Sequence, residues 1–241
     1  MAISRTIGID MPDDFPTTAY DVVNAKLGSY QQRNPNVWTQ YAGGWNAIAF
    51  RFKTATVADD RFTESIKHFP QPPLEEYQAQ EEALFMFFLA GFAVIESLAY
   101  ALFALGAMLQ PANFPMSTDD ARQAIKPTLT KKKFAIHFAS TPVEAALSAF
   151  LADLLADPTY KKWRLIRNAL AHRTAPPRQH VTELGTGGGG GGTSQLGSTT
   201  WQVIGGLVLN DRTTSDKRKW LTEQLARSIQ ATESFVNINF P

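Results

Sequence analysis

The sequence predicts an all-α helical bundle with a small β-hairpin inserted before its last helix. Three observations carry that expectation. The run from Ala83 to Leu109 is almost wholly apolar and far too long for a strand. Two segments, opened by Thr141-Pro142-Val143-Glu144 and by Asp157-Pro158, begin with helix-start chemistry and continue with apolar residues at helical spacing. Near the C-terminal end, the glycine run from Gly187 to Gly192 separates two short segments of strand-forming residues.

Composition narrows the function classes. At 241 residues and 44% apolar, the chain can bury one sizeable core. Twenty-three basic and 22 acidic residues leave a net charge of +1, so binding to a polyanion must rest on a local patch. The absence of cysteine excludes disulfides, thiolate nucleophiles and zinc–thiolate sites. Four histidines (68, 137, 172 and 180) show no metal-binding spacing, and no metal or cofactor is expected. The first residues lack the apolar run of a signal peptide, which makes a cytoplasmic location the expectation.

Residues 1–73 read as an N-terminal arm with short helices packing on the bundle of residues 74–241, the whole forming one structural domain. The first thirty residues have scattered prolines and weak periodicity. Asn34-Pro35 starts a helix, with Val37, Trp38, Tyr41, Trp45, Ile48 and Phe52 at helical spacing. These aromatics suit a packed helix better than a base-stacking platform. Gly43-Gly44 weakens this helix, since each glycine costs roughly 1 kcal/mol in a helix interior. A second short helix is expected from Asp59 to His68, ended by the proline-rich stretch through Pro73.

The apolar run that follows is long enough for a membrane span, which needs about 20 residues. Glu96 in its middle, acidic first turns (Glu75, Glu76, Glu81, Glu82) and the lack of Lys or Arg anchors instead predict the buried central helix of a bundle, with no membrane partner. Gly91, Tyr100 and Gly106 read as interruptions of small consequence. A buried Glu96 must take up a proton or find an arginine, and Arg167 or Arg164 is the expected partner. That pair is either part of a catalytic site or an ordinary salt bridge, and the sequence leaves both open.

Beyond the loop at Pro111–Pro115, Ser117-Thr118-Asp119-Asp120 begins a short helix that breaks near Lys126-Pro127. Lys131, Lys132 and Lys133 read as a solvated face. The helix from Thr141 carries Val143, Leu147, Phe150, Leu151, Leu154 and Leu155 as its core stripe. The next begins at about Thr159 and forms an antiparallel pair with it. Its Tyr160, Trp163, Ile166 and Leu170 share one face, while Lys161, Arg164, Asn168 and His172 share another. Ala175-Pro176-Pro177 ends it.

No acidic residue lies between Asp157 and Glu183, whereas Lys161, Lys162, Arg164, Arg167, Arg173 and Arg178 supply six positive charges. This is the best phosphate-binding candidate in the chain. His172 sits at a helix C-terminus, whose dipole favours the imidazolium, while neighbouring arginines oppose it; that balance suits a general acid or base.

Strands are expected over residues 178–184 and 200–204, with Leu207-Val208-Leu209 as a possible third. The glycine-rich tip, 185–199, lacks the Lys-Ser/Thr ending of a phosphate loop and reads as a flexible hairpin end. Thr214-Ser215-Asp216 caps the last helix, which turns Trp220, Leu221, Leu225, Ile229 and Thr232 to the core.

Arg167-Asn168-Ala169-Leu170-Ala171-His172 resembles the Arg, polar residue, three further residues, His motif of the HEPN superfamily. Those proteins are helical bundles, many of them metal-independent endoribonucleases of toxin–antitoxin, phage-defence and RNA-processing systems. The likeness extends over roughly residues 75–236: a long apolar helix carrying a glutamate, the motif helix, then a closing helix. It implies a HEPN-like bundle in which His172 is general base or acid, Arg167 clamps the scissile phosphate and Asn168 positions one of the reacting groups. Glu96 and Arg164 would support them, and Lys161, Lys162, Arg173 and Arg178 would contact RNA.

It further implies metal-free cleavage to a 2′,3′-cyclic phosphate, a homodimer and, in a toxin, a cognate antitoxin protein. Five residues at 100° each put Arg167 and His172 about 140° apart around the helix, which a dimer with facing motifs would resolve. The alternative reading is a non-catalytic module that uses the same surface to hold RNA, a nucleotide or a protein partner.

Overall fold

The computed structural model describes residues 2–68, 73–172, 178–181, 198–203 and 207–240. They form an all-α bundle with two small antiparallel sheets. A two-residue pair, β1 (Ala2–Ile3) and β2 (Asp10–Met11), precedes α1 (Thr17–Leu27) and a single 3-10 turn. Then come α2 (Pro35–His68), α3 (Leu74–Leu109), α4 (Asp119–Gln123), α5 (Pro127–His137), α6 (Pro142–Ala156) and α7 (Pro158–His172). Strands β3 (Arg178–Val181), β4 (Ser198–Val203) and β5 (Leu207–Leu209) lead into α8 (Asp211–Asn239).

Residues 2–68 pack into the bundle. Met11, Phe15, Tyr20, Trp45 and Phe62 are buried in the same core as α3, and Tyr20 stacks on Trp45 with ring centres 5.1 Å apart. The N-terminal turn is tied to α1 through Asp21, whose carboxylate accepts from Ser4 Oγ (2.7 Å), Arg5 N (2.8 Å) and both Thr6 N and Oγ1 (3.1 and 2.7 Å). Partial burial works against that charge, but these donors prevail and hold the Asp21 carboxyl below the ordinary aspartate range.

The two helices expected between Asn34 and His68, the first through Phe52 and the second from Asp59, are one, α2, and Gly43-Gly44 lies unbroken within it. The reason is tertiary. A β-carbon on Gly44 would lie 3.0 Å from Tyr100 Cδ1 and 3.1 Å from the Ala101 nitrogen, so glycine lets α2 seat against α3. That packing outweighs the local cost of glycine. Arg61 near Glu82, Ser65 bonded to Glu76 and Gln40 bonded to Tyr100 show the two helices antiparallel.

Helix α3 is the central element, and 78% of its apolar window is buried within the bundle. Two of its supposed minor interruptions are docking points. Gly106 admits the Phe114 ring, which an added Cβ would meet at 2.6 Å. Gly91 admits Trp163 of α7, which a Cβ would meet at 2.3 Å. The capping box of α6 is present, with the Thr141 hydroxyl accepting from Glu144 N and the Glu144 carboxylate accepting from Thr141 N.

Two boundaries differ near the C-terminal end. Helix α8 starts one turn before the expected Thr214 cap, because Asn210 accepts from Thr213 N (2.9 Å) while the Thr213 hydroxyl accepts from Asn210 N. Thr214 is instead buried inside the helix. The insertion is a three-stranded antiparallel sheet, β3-β4-β5, with Arg178 opposite Trp201 and Trp201 opposite Leu209. Strand β4 begins at Ser198, and the rest of the expected glycine-rich tip lies outside the described residues.

Candidate functional site

Helix α7 starts where Asp157 accepts from Thr159 N at 2.6 Å and, through its other oxygen, from the Trp220 indole of α8 at 2.9 Å. Partial burial raises the Asp157 carboxyl, but the donors from Trp220, Thr159 and Tyr160 outweigh it, and its pKa is lowered. The rotation of α7 is then set by Trp163. Its indole is fully buried, stacks on Phe87 at 5.4 Å and donates to the Phe88 carbonyl at 3.0 Å. One turn before, Tyr160 stacks on Phe92 at 5.5 Å.

With the helix fixed in this way, Arg167, one turn past Trp163, falls on α3. Its Nη2 meets Glu96 Oε1 at 2.6 Å, and its Nη1 donates to Asn168 Oδ1 at 3.0 Å. Its guanidinium carbon lies 5.0 Å from the centre of the Phe92 ring, a cation–π distance. Phe92 and Glu96 are four residues apart on α3 and present one surface to it. Of the two partners expected for Glu96, Arg167 makes the ion pair, and Arg164 is exposed and interacts with the Tyr160 hydroxyl. Burial raises the Tyr160 hydroxyl, with the Arg164 and Arg167 charges opposing and that of Glu96 reinforcing the shift.

Glu96 is not buried, contrary to expectation: its side chain is 41% exposed and that of Arg167 25%. The cause is that α3 keeps one outward strip, on which Glu82, Phe85 and Met86 are exposed and Glu96 partly so. Asn168, Lys161 and Lys162 are exposed on α7. Lys162 is electrostatically coupled to Lys217 of α8, whose ammonium is pushed down by its own burial first and by the Lys162 charge second.

Helix α7 runs unbroken to His172. The His172 side chain lies outside the described residues, as do all of Arg173 and the side chain of Arg178. Arg167, Asn168 and Glu96 are thus brought together, while Lys161 and Lys162 stand on an adjoining exposed face.

Two participants carried no earlier expectation. Phe92 could have been found as an aromatic residue one turn before Glu96 on the same helix face. Arg51 of α2 had no local signal; it donates to the Ala93 carbonyl at 3.1 Å and to Ser97 Oγ, flanking Glu96 on the side away from α7. A cavity of about 440 Å³ opens there, lined by Glu96, Arg51, Ser97, Tyr100 and Lys126. Chemically the site offers guanidinium donors for an oxyanion beside a carboxylate acceptor. Among the described residues, no three His, Cys, Asp or Glu are grouped to hold a metal ion.

Compared with protein-family models, curated proteins and solved structures, the chain matches none.

Proposed function

We propose that this chain is a metal-independent endoribonuclease of HEPN type, acting in the cytoplasm as a toxin or defence effector. The observation that carries the reading is the arrangement around Arg167. A motif arginine, its neighbour Asn168 and a glutamate from the long apolar helix form one partly exposed cluster, on the helix that ends at His172.

In the proposed reaction the ribose 2′-oxygen forms a bond to phosphorus and the bond to the 5′-oxygen breaks, leaving a 2′,3′-cyclic phosphate. One proton leaves the 2′-OH and one reaches the departing 5′-oxygen; His172 serves as the base or the acid. Arg167 stabilises the phosphorane-like charge, and Asn168 positions a reacting group. A homodimer with facing motifs would supply two histidines, one for each proton. Lys161, Lys162, Arg173 and Arg178 would hold the RNA backbone, and an antitoxin would cover the same face.

The second reading is a non-catalytic module binding RNA, a nucleotide or a protein. It is favoured by the engagement of Arg167 on three sides, by Glu96, Asn168 and Phe92, as in an ordinary structural ion pair.

The deciding experiment is RNA cleavage by the purified protein in EDTA, with Arg167→Ala and His172→Ala alongside. Cleavage that persists in chelator, yields cyclic phosphate ends and vanishes in both variants supports the nuclease. Activity retained in both variants ends it, and absence of cleavage with RNA binding intact favours the module.

A further inference from the structure

We propose that a groove running along α2, away from the Glu96–Arg167 pair, is the track for a single-stranded RNA. The proposal rests on the ribonuclease reading and extends it to the path of the substrate. Two cavities, of about 440 and 620 Å³, adjoin at Thr39 and Gln40, which line both. Together they follow α2 from Arg51, beside Glu96, to Asn34, a length of about 25 Å at 1.5 Å per residue.

The charge of the lining selects the ligand. Arg51 and Lys126 are exposed, and among the described residues neither has a carboxylate partner. Arg122 lines the farther cavity but is already engaged, paired with Asp119 and donating to the Met116 carbonyl at 2.8 Å, so Arg51 and Lys126 carry the free charge. Two helix N-termini open on the groove. Helix α5 starts at Lys126-Pro127 with no side-chain cap and no acidic residue in its first turn, and α2 starts at Asn34-Pro35, also without an acidic first turn. The α2 terminus is capped by Asn34 Oδ1, which accepts from Val37 N at 3.4 Å, whereas the uncapped N–H groups and positive dipole end of α5 suit phosphate oxygens. Among the described residues Glu96 is the sole carboxylate in the lining of either cavity, and it is paired with Arg167.

A third cavity has the opposite character. Its roughly 830 Å³ are lined by the carboxylates of Asp10, Asp13, Asp14, Asp59, Asp60 and Glu223, which outnumber Lys53, Lys219 and an Arg218 already bound to Asp14, Asp59 and Asp60. A polyanion is repelled there and accepted along α2. The α2 groove also carries groups that unpaired bases use: the Tyr100 ring, the Asn36 amide, and the NH2 groups of Asn34 and Gln40, whose oxygens accept from Val37 N and the Tyr100 hydroxyl. Gly43 lines it at an exposed position where an added β-carbon would meet nothing within 4 Å.

The test is fluorescence anisotropy with a labelled single-stranded 2′-O-methyl RNA, which cannot be cleaved, so binding is read independently of catalysis. Three variants are compared with the full-length wild type: Arg51→Gln/Lys126→Gln, Gly43→Leu and, as a control in the acidic cavity, Lys219→Gln. Gly43→Leu puts a side chain into the groove from an exposed position whose β-carbon meets nothing within 4 Å, so the fold should be retained. The groove predicts a tenfold or greater loss of affinity in the double variant and in Gly43→Leu, with Lys219→Gln unchanged. The salt dependence of the double variant should be shallower by about 1.4 in log–log slope, for two lost phosphate contacts. Wild-type affinity in either groove variant overturns the proposal, as does absence of binding by the wild type. Groove-dependent binding without Arg167- and His172-dependent cleavage would end the nuclease reading alone.

Discussion

Trp163 of the motif helix occupies the space that a side chain at position 91 of α3 would need. A β-carbon there would lie 2.3 Å from the indole Cζ2, and the indole is fully buried. Gly91→Ala is therefore predicted to push α7 off α3, at a cost of about 1–3 kcal/mol for overpacking. Urea denaturation reads the cost. Arg167, one turn further along, would lose its register with Glu96, so function should fall as well. An unchanged midpoint would show that α7 is seated by other contacts.

The adjacent glycines of α2 should respond in opposite directions. Gly43 is exposed with open space around its Cβ position, so Gly43→Ala gains helix propensity and should stabilise by about 0.5–1 kcal/mol. Gly44→Ala would bring a methyl to 3.1 Å from the Ala101 nitrogen, backbone that cannot swing aside, and should destabilise. Thermal melts of the two variants decide this; a like shift in both would contradict the assigned α2–α3 contact.

The Glu96–Arg167 pair is partly exposed, so it should matter more for geometry than for stability. Glu96→Gln is expected to change stability by less than about 1 kcal/mol. It should nonetheless reduce any Arg167-dependent RNA cleavage or binding, because the guanidinium loses the charge that orients it. Full function in Glu96→Gln would reduce the pair to an ordinary surface contact.

Acid should loosen the start of α7 and the N-terminal turn together. The carboxyls of Asp157 and Asp21 both have lowered folded-state pKa values. Their contribution is complete above the unfolded aspartate value, about 3.9, and is lost as pH falls through the lower folded values. Asp157→Asn and Asp21→Asn should be less stable than wild type at neutral pH and should lose less further stability on acidification. Parallel stability–pH curves for wild type and variants below pH 4 would refute the assignment.

Local chemistry in the sequence determined the helices that have unambiguous starts and stripes. The capping box at Thr141, the Asp157-Pro158 start and the apolar run of α3 each specify a helix through interactions within a few residues. The buried face of α7 was equally legible: Tyr160, Trp163 and Ile166 are in the core, and Lys161, Arg164 and Asn168 are outside it. The basic stretch and the six-residue motif were readable for the same reason.

Tertiary structure decided what depends on close approach between distant segments. Glycine at 44, 91 or 106 looks like a helix weakness in one dimension, yet in the fold Gly44 seats α2 on α3 and Gly91 and Gly106 admit aromatic rings. Packing along α2 and α3 outweighed the local weakness at Gly43-Gly44, and α2 runs on through the gap expected between Phe52 and Asp59. The choice of Arg167 over Arg164 for Glu96 required the rotation of α7, which Trp163 fixes through the Phe88 carbonyl and the space at Gly91. Periodicity gave α3 its apolar character but not which strip the other helices leave uncovered. That strip, and the approach of Arg51 from 45 residues earlier in the chain, put Glu96 at the edge of a groove rather than in the core.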